Sequence, residues 1–258
     1  MTYDLGNKAV ALTGGSRGIG RGVALALARE GAKLAVMARG EAALRETVDQ
    51  VEAAGGRAIP ITCDVTDEDS VQVAVDGAAH ALGGLDVFMN IAGITLQKSL
   101  LEAEAEDVNR VMDTNLLGVL RCTRSAVPHL KARRGLLVNV ASVIVNNPFP
   151  YMGVYACSKW AVAAFSHTLR QELYGTGVRV LTVYPTVVRT AMLEEEPVLA
   201  RTPSQSPEAC SRAIVRAIKK GKQEAGTAWL PKFSGALFKL HAPWSDRINR
   251  LFLPKAYQ

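Results

Sequence analysis

Cysteine is scarce in this chain: Cys63, Cys122, Cys157 and Cys210 stand far apart, with no C-x-x-C pair among them. That spacing argues against a cysteine metal site or a disulfide framework and suits a reducing compartment. Histidine is as sparse, and His80, His129, His167 and His241 have no ligand spacing, so no metal is expected. No apolar run approaches the roughly 20 residues of a membrane-spanning helix. Residues 1–7 lack a basic stretch followed by a long apolar one, so no secretory signal is visible and a cytoplasmic location is expected. Linkers and internal repeats are missing too. Acidic residues are thin in one region only. From Arg201 onward eleven Lys or Arg face Glu208, Glu224 and Asp246, an excess of eight in a chain of net charge +6. The basic character therefore belongs to the tail, where a solvated helix face explains it without a nucleic-acid partner.

What is present is a regular alternation of short apolar runs and helical periodicity. The runs predict strands at residues 8–12, 33–38, 58–62, 85–89, 136–141 and 178–184. Helices are predicted at 18–30, 41–54, 67–82, 104–115, 118–132 and 154–174. A further helix is expected at 207–220, with Ser206 as its N-cap and Gly221 at its end, and a short seventh strand at 227–230. Such a rhythm demands crossovers, so the expected fold is α/β: one doubly wound domain, a mostly seven-stranded parallel sheet with helices on both faces. Residues 1–232 form this unit in the reading, and 233–258 a basic, amphipathic helical extension of it.

Two features carry chemistry. Thr13-Gly14-Gly15-Ser16-Arg17-Gly18-Ile19-Gly20 follows the first predicted strand and opens the first predicted helix. Glycines there let the backbone approach a pyrophosphate, and the helix N-terminus offers free N–H groups with partial positive charge. Further along, Tyr155 and Lys159 stand four apart, so on a helix they share one face, and Ser142 ends the apolar run 136–141. Tyrosine works as an acid or base near neutral pH only if its phenolate is stabilised, which a nearby ammonium does.

The glycine spacing, T-G-x-x-x-G-x-G, together with Tyr-x-x-x-Lys, resembles the short-chain dehydrogenase/reductase family over about residues 8–192. Other marks of that family follow in order: Asp64-Val65 after the third strand, Asn90-Ile91-Ala92-Gly93 ending the fourth, and Asn115 in the next helix. The resemblance implies a Rossmann-type fold and a carbonyl/alcohol oxidoreductase with the tetrad Asn115, Ser142, Tyr155 and Lys159. It implies that Ser142 binds the carbonyl oxygen and Tyr155 exchanges the proton. Lys159 lowers the tyrosine pKa and binds the nicotinamide ribose, while Asn115 holds a water that links Lys159 to solvent. Cofactor contacts are implied at Gly14, Ser16, Arg17, Gly18, Ile19, Gly20, Asp64 (to adenine), Val65, Asn90, Ala92, Gly93, Tyr155 and Lys159. Pro185, Val188 and Thr190 would hold the nicotinamide carboxamide. The chain departs from the family's pattern at Thr186, where Gly usually follows Pro, at Ile91 in place of Asn, and in lacking an Asp-Gly-Gly end.

The residues also argue for one cofactor. NAD-specific sites place a carboxylate at the end of the second strand, but here Ala38 stands there and Arg39 follows it. With Arg17 in the glycine turn, two guanidinium groups and no carboxylate suit the 2′-phosphate of NADP(H). The substrate pocket is expected from residues 143–154, 94–97 and 192–206. Phe149, Tyr151 and Met152 suggest a hydrophobic, neutral substrate, and Glu194 to Glu196 read either as a pocket edge or as the polar start of a loop. A 3-ketoacyl thioester is the alternative substrate, and a regulatory or scaffold protein that binds NADP(H) without turnover the alternative function. The expected partner is a second copy of the chain. Ala156, Trp160, Ala163, Ala164 and His167 offer a dimer face, while a tetramer needs the surface near the last strand that the tail would cover. The tail permits membrane docking, though packing on its own or a partner subunit is favoured.

Overall fold

The computed structural model describes residues 3–191 and 203–227. Expectations for Glu194 to Glu196 and for the extension 233–258 fall outside them. Seven parallel strands form one sheet in the order β3-β2-β1-β4-β5-β6-β7. They are β1 (Ala9–Thr13), β2 (Lys33–Ala38), β3 (Arg57–Thr62), β4 (Val87–Asn90), β5 (Leu136–Val140), β6 (Arg179–Tyr184) and β7 (Glu224–Gly226). Helices α1 (Gly18–Arg29), α2 (Glu41–Ala53), α3 (Glu68–Leu82), α4 (Ala105–Met112), α5 (Gly118–Arg133), α6 (Gly153–Glu172) and α7 (Pro207–Lys219) cover its faces.

Strand periodicity explains why both faces are dry. Val10, Leu12, Leu34, Val36, Val87, Met89, Val138, Leu181 and Val183 share one apolar cluster with residues of α1, α2 and α7. Their neighbours Ala11, Ala35, Met37, Phe88, Leu137 and Val180 join α3 and α5 in the other. Successive residues of a strand point to opposite faces, so uninterrupted apolar runs are what a doubly covered sheet requires. Helix ends follow local chemistry. The Asp67 side chain accepts from Ser70 N at 2.7 Å to start α3, which stops on Gly83 in the left-handed region. Ser206 caps α7 as expected, accepting from Ala209 N at 3.2 Å, with Pro207 following it.

One predicted junction differs. The helices expected at 104–115 and 118–132 are joined through a π-helical turn, Asp113–Leu117, so the chain runs on without a break. A π turn inserts one residue into a helix and aims it off the regular stripe, and Asn115 sits in it, fully buried. The strand expected at 227–230 falls, but for Thr227, outside the described residues; the last described strand is Glu224–Gly226, whose register with β6 sets Ala225 beside Val183. Its side chain then reaches the apolar cluster under α7.

A buried polar chain crosses the middle of the sheet. Asn90 Nδ2 donates to Thr123 Oγ1 (3.2 Å) and to Asn139 Oδ1 (2.8 Å). Asn139 Nδ2 donates to Ser166 Oγ (2.9 Å), whose hydroxyl donates to Val162 O (2.7 Å). This chain binds β4 and β5 to α5 and α6 through groups that have no access to water. Asn139→Leu is expected to strand the Asn90 Nδ2 donor on one side and the Ser166 Oγ acceptor on the other, and to lower the unfolding free energy by about 2–3 kcal/mol in urea titrations. An unchanged urea midpoint would mean that the ladder contributes nothing net.

Candidate active site

β1 and β4 are neighbours in the sheet, but the chain leaves them toward opposite faces, and a cavity of about 510 Å³ opens over their C-terminal ends. Its walls include Gly14, Ser16, Arg17, Gly18, Ile19 and Gly20, then Arg39, Asp64, Val65, Ala92 and Gly93. Ser142, Tyr155, Lys159, Pro185, Val188 and Thr190 also line it. These positions are spread from residue 14 to residue 190, and only the fold gathers them around one space.

The glycine turn fits a phosphate. Gly14 has φ +66°, and a Cβ there would lie 2.8 Å from Ala92 Cα and N, so both conformation and space require glycine. No side chain caps the start of α1 and no acidic residue sits in its first turn, which leaves its N-terminal dipole facing the cavity. Arg21 shapes the turn from behind, donating to Ser16 O from Nε (3.1 Å) and NH2 (2.7 Å) and pairing with Glu46 on α2. Arg21 went unnoticed in the sequence, because a basic residue one turn into a helix carries no signature.

Thr13 joins the two halves. Its hydroxyl donates to Met89 O (3.4 Å) and accepts from Ile91 N (3.1 Å) and Ala92 N (3.2 Å). Across the cavity, Asp64 Oδ1 accepts from Thr66 N (2.9 Å) and Thr66 Oγ1 (2.7 Å). Partial burial opposes the Asp64 charge, but the Thr66 hydrogen bonds and the Arg39 and Arg121 guanidinium groups outweigh it and lower its pKa. Arg17 and Arg39 are both exposed at the cavity edge, and Ala38 at the end of β2 carries no carboxylate.

At the other end α6 carries Tyr155 and Lys159 to the same wall as Ser142. Lys159 Nζ donates to Val140 O at 3.0 Å and stands 5.8 Å from the centre of the Tyr155 ring. Ser142 begins a short 3-10 turn, its Oγ accepting from Ile144 N at 3.3 Å. Gly93 is the facing surface: a Cβ there would come 3.1 Å from Asn115 Oδ1 and 3.3 Å from Lys159 Nζ. Ile94, Thr95, Val143, Ile144, Phe149 and Val187 extend the cavity into a mainly apolar end.

Two expected site residues stand behind the wall and not in it. Asn115 is held at Ile94, its Oδ1 accepting from Ile94 N (2.8 Å) and its Nδ2 donating to Ile94 O (2.8 Å) and Ser158 Oγ (2.9 Å). Its side-chain amide is thus engaged with Ile94 and Ser158. Ser158 Oγ in turn donates to Tyr155 O at 2.7 Å, so Asn115 ties the π turn to α6 under the tyrosine. Asn90, expected to touch cofactor, is 2 % exposed and turned into the polar chain under the sheet. Its Nδ2 donates to groups of neighbouring elements, and the cavity lining begins at Ile91.

Comparison with known proteins fits this site. A family model described as short chain dehydrogenase matches residues 8–198. The ketoacyl reductase HetN of Nostoc sp. is 33% identical over 258 residues, covering 96% of this chain and 90% of that protein. The 3beta-hydroxysteroid dehydrogenase 1 of Eggerthella lenta is 34% identical over 199 residues, 76% of each chain. Among solved structures, a short chain dehydrogenase/reductase from Burkholderia phymatum, in complex with NAD, superposes with a TM-score of 0.85 at 27% identity. That match covers 94% of this chain and 96% of the other.

Burial of Lys159 has a measurable signature. Desolvation lowers its pKa to about 8 from an ordinary 10.5. Below pH 8 the folded protein therefore carries a buried ammonium at a cost, and that cost fades as pH rises from about 8 to 10.5, where only the unfolded chain still binds the proton. Lys159→Met is expected to raise the urea midpoint of the cofactor-free protein at pH 7, by an amount that shrinks at pH 10. An advantage that grows with pH would contradict the assignment.

Proposed function

The chain belongs to the short-chain dehydrogenase/reductase family, and from that premise we propose that it interconverts a carbonyl and an alcohol with NADP(H), on a hydrophobic, neutral substrate. The observation that carries this reading is the convergence of Ser142, Tyr155 and Lys159 on one cavity with an uncapped helix N-terminus at its far end. Catalytic and cofactor sites then share one unit, residues 1–232, of which 233–258 is an extension.

When bound, the dinucleotide supplies or accepts the hydride. The chain's own residues do the rest. The α1 N-terminus and the Gly14 turn receive the pyrophosphate, and Asp64 and Val65 flank the adenine. Pro185, Val188 and Thr190 border the nicotinamide. Ser142 Oγ holds the substrate oxygen by a hydrogen bond, and the Tyr155 hydroxyl gives it a proton during reduction or takes one during oxidation. Lys159, anchored on the Val140 carbonyl, places positive charge beside the phenol and favours its ionised form. Asn115 acts through Ile94 and Ser158, as a positioning residue.

Support for NADP(H) over NAD(H) comes from Arg17 and Arg39 on the cavity edge and the missing carboxylate at Ala38. The apolar end with Ile94, Ile144 and Phe149 supports a hydrophobic substrate. The name of the Nostoc relative favours a 3-ketoacyl thioester as second reading. Exposed Leu117 (42%) and Trp160 (46%), at the head of α5 and on α6, support a homodimer built on those helices.

The test is oxidation of NADPH and NADH across ketones, aldehydes and 3-ketoacyl thioesters, followed by absorbance of the reduced nicotinamide. NADPH is expected to be preferred, with Tyr155→Phe lowering kcat by about 10²–10⁴. Full activity in that variant would remove Tyr155 from the chemistry, and NADPH binding without any turnover would favour a regulatory role. In a second measurement, Arg39→Asp is expected to weaken NADPH binding by about tenfold or more and to improve NADH. Equal loss for both dinucleotides would show that Arg39 does not read the 2′-phosphate.

A further inference from the structure

Residues 185–190 leave β6 and border the cavity; Val143 N holds the Pro185 carbonyl (3.0 Å), and Gln205 holds the residues that follow. Gln205 N donates to Val187 O at 2.9 Å, and Arg189 N donates to Gln205 O at 3.0 Å, a parallel bridge centred on Val188. Polar groups alternate sides along an extended backbone, so the Val188 N–H and C=O point away from Gln205. Val188 is buried, packs in the apolar cluster under α7 and lines the cavity.

The Gln205 side chain completes the clamp. Its Nε2 donates to Thr186 Oγ1 (2.6 Å) and Thr227 Oγ1 (2.5 Å). Thr227 Oγ1 also accepts from Thr186 N (3.2 Å), and Thr227 N donates to Tyr184 O (3.3 Å). One amide therefore gathers the loop after β6, the approach to α7 and the end of β7. Thr186, at the position where glycine usually follows the proline, supplies a side chain for the amide to hold.

The clamp also reaches the phosphate end of the site. Gln205 directly precedes the Ser206 cap of α7, and α7 lies close on α1: Ser211 Oγ is 3.5 Å from Ile19 O, and a Cβ on Gly22 would lie 2.5 Å from Ser211 Oγ. Thr190 meets the glycine turn directly, with Cγ2 3.1 Å from a Cβ built on Gly18. Loop and turn are thus held in one frame, from two sides.

We propose that Gln205, through the hydroxyls of Thr186 and Thr227, is a positioning residue that holds loop 185–190 ready for the nicotinamide end of the cofactor. The proposal rests on the dinucleotide reading above. Its consequence is an effect on dinucleotide affinity without one on the proton steps, since no atom of the clamp touches Tyr155 or Lys159 in the hydrogen bonds described.

Calorimetric titration of wild-type protein, Gln205→Ala, Thr227→Val and Thr227→Ser with NADPH and NADH tests it, with melting midpoints and pH–rate profiles alongside. Gln205→Ala and Thr227→Val are expected to raise Kd about tenfold, while Thr227→Ser, which keeps the hydroxyl, stays within about twofold of wild type. The pH profile should not move. If Gln205→Ala does not fold, the Thr227→Val and Thr227→Ser pair decides. Unchanged Kd with a lowered melting midpoint would make the clamp merely structural and overturn the proposal. Wild-type protein that binds neither dinucleotide would overturn the cofactor reading itself, an outcome distinct from tight wild-type binding that Gln205→Ala leaves intact.

Discussion

The hydroxyl of Thr13 is the smallest part on which the site depends. Parallel strands that part company at their C-terminal ends open a crevice, but the crevice has a definite width only if the two departing chains are tied. Thr13 does this by donating to β4 and accepting from the two amides beyond it. With the ends fixed at that distance, Ala92 comes so near Gly14 that no Cβ fits between them. The phosphate turn and the floor of the cavity are therefore one packed object, and the α1 dipole is aimed by it.

At the other end the organising fact is a charge taken out of water. Lys159 is 5% exposed and has one backbone carbonyl as hydrogen-bond partner. A protein selected for stability alone would place an apolar side chain there. Apolar packing elsewhere absorbs the cost, and the return is a cation fixed beside a phenol in a medium where charges interact strongly. Asn115 and Ser158 extend the same order outward, so that the tyrosine, the lysine and the wall at Ile94 belong to one hydrogen-bonded frame.

Much of this was legible in the sequence. Six strands announced themselves as apolar runs, because a sheet covered on both faces buries every residue of its central strands. The glycine turn and the Tyr155–Lys159 pair were legible because both act through local spacing. The strand Glu224–Gly226 gave no signal, since it has no β-branched residue and owes its pairing to β6. The π turn at Asn115 was invisible, since it differs from an α-helix by one residue in the hydrogen-bond ladder. The buried bonds of Asn90 could not be read from the sequence, because its partners, Thr123 and Asn139, lie 33 and 49 residues away. The Gln205 clamp was missed for the same reason, its hydroxyl partners standing 19 and 22 residues off.

Strand order bears on how the chain reaches this state. β1 is made first but lies between β2 and β4, and its lower end meets Asp86, 77 positions further along the chain. Closing so long a loop costs entropy before any pairing rewards it, which places the centre of the sheet among the slow events of folding. Until β4 arrives, Thr13 has nothing to tie and Gly14 nothing to meet. A dinucleotide that needs both walls therefore stabilises only the finished fold and cannot guide its early steps.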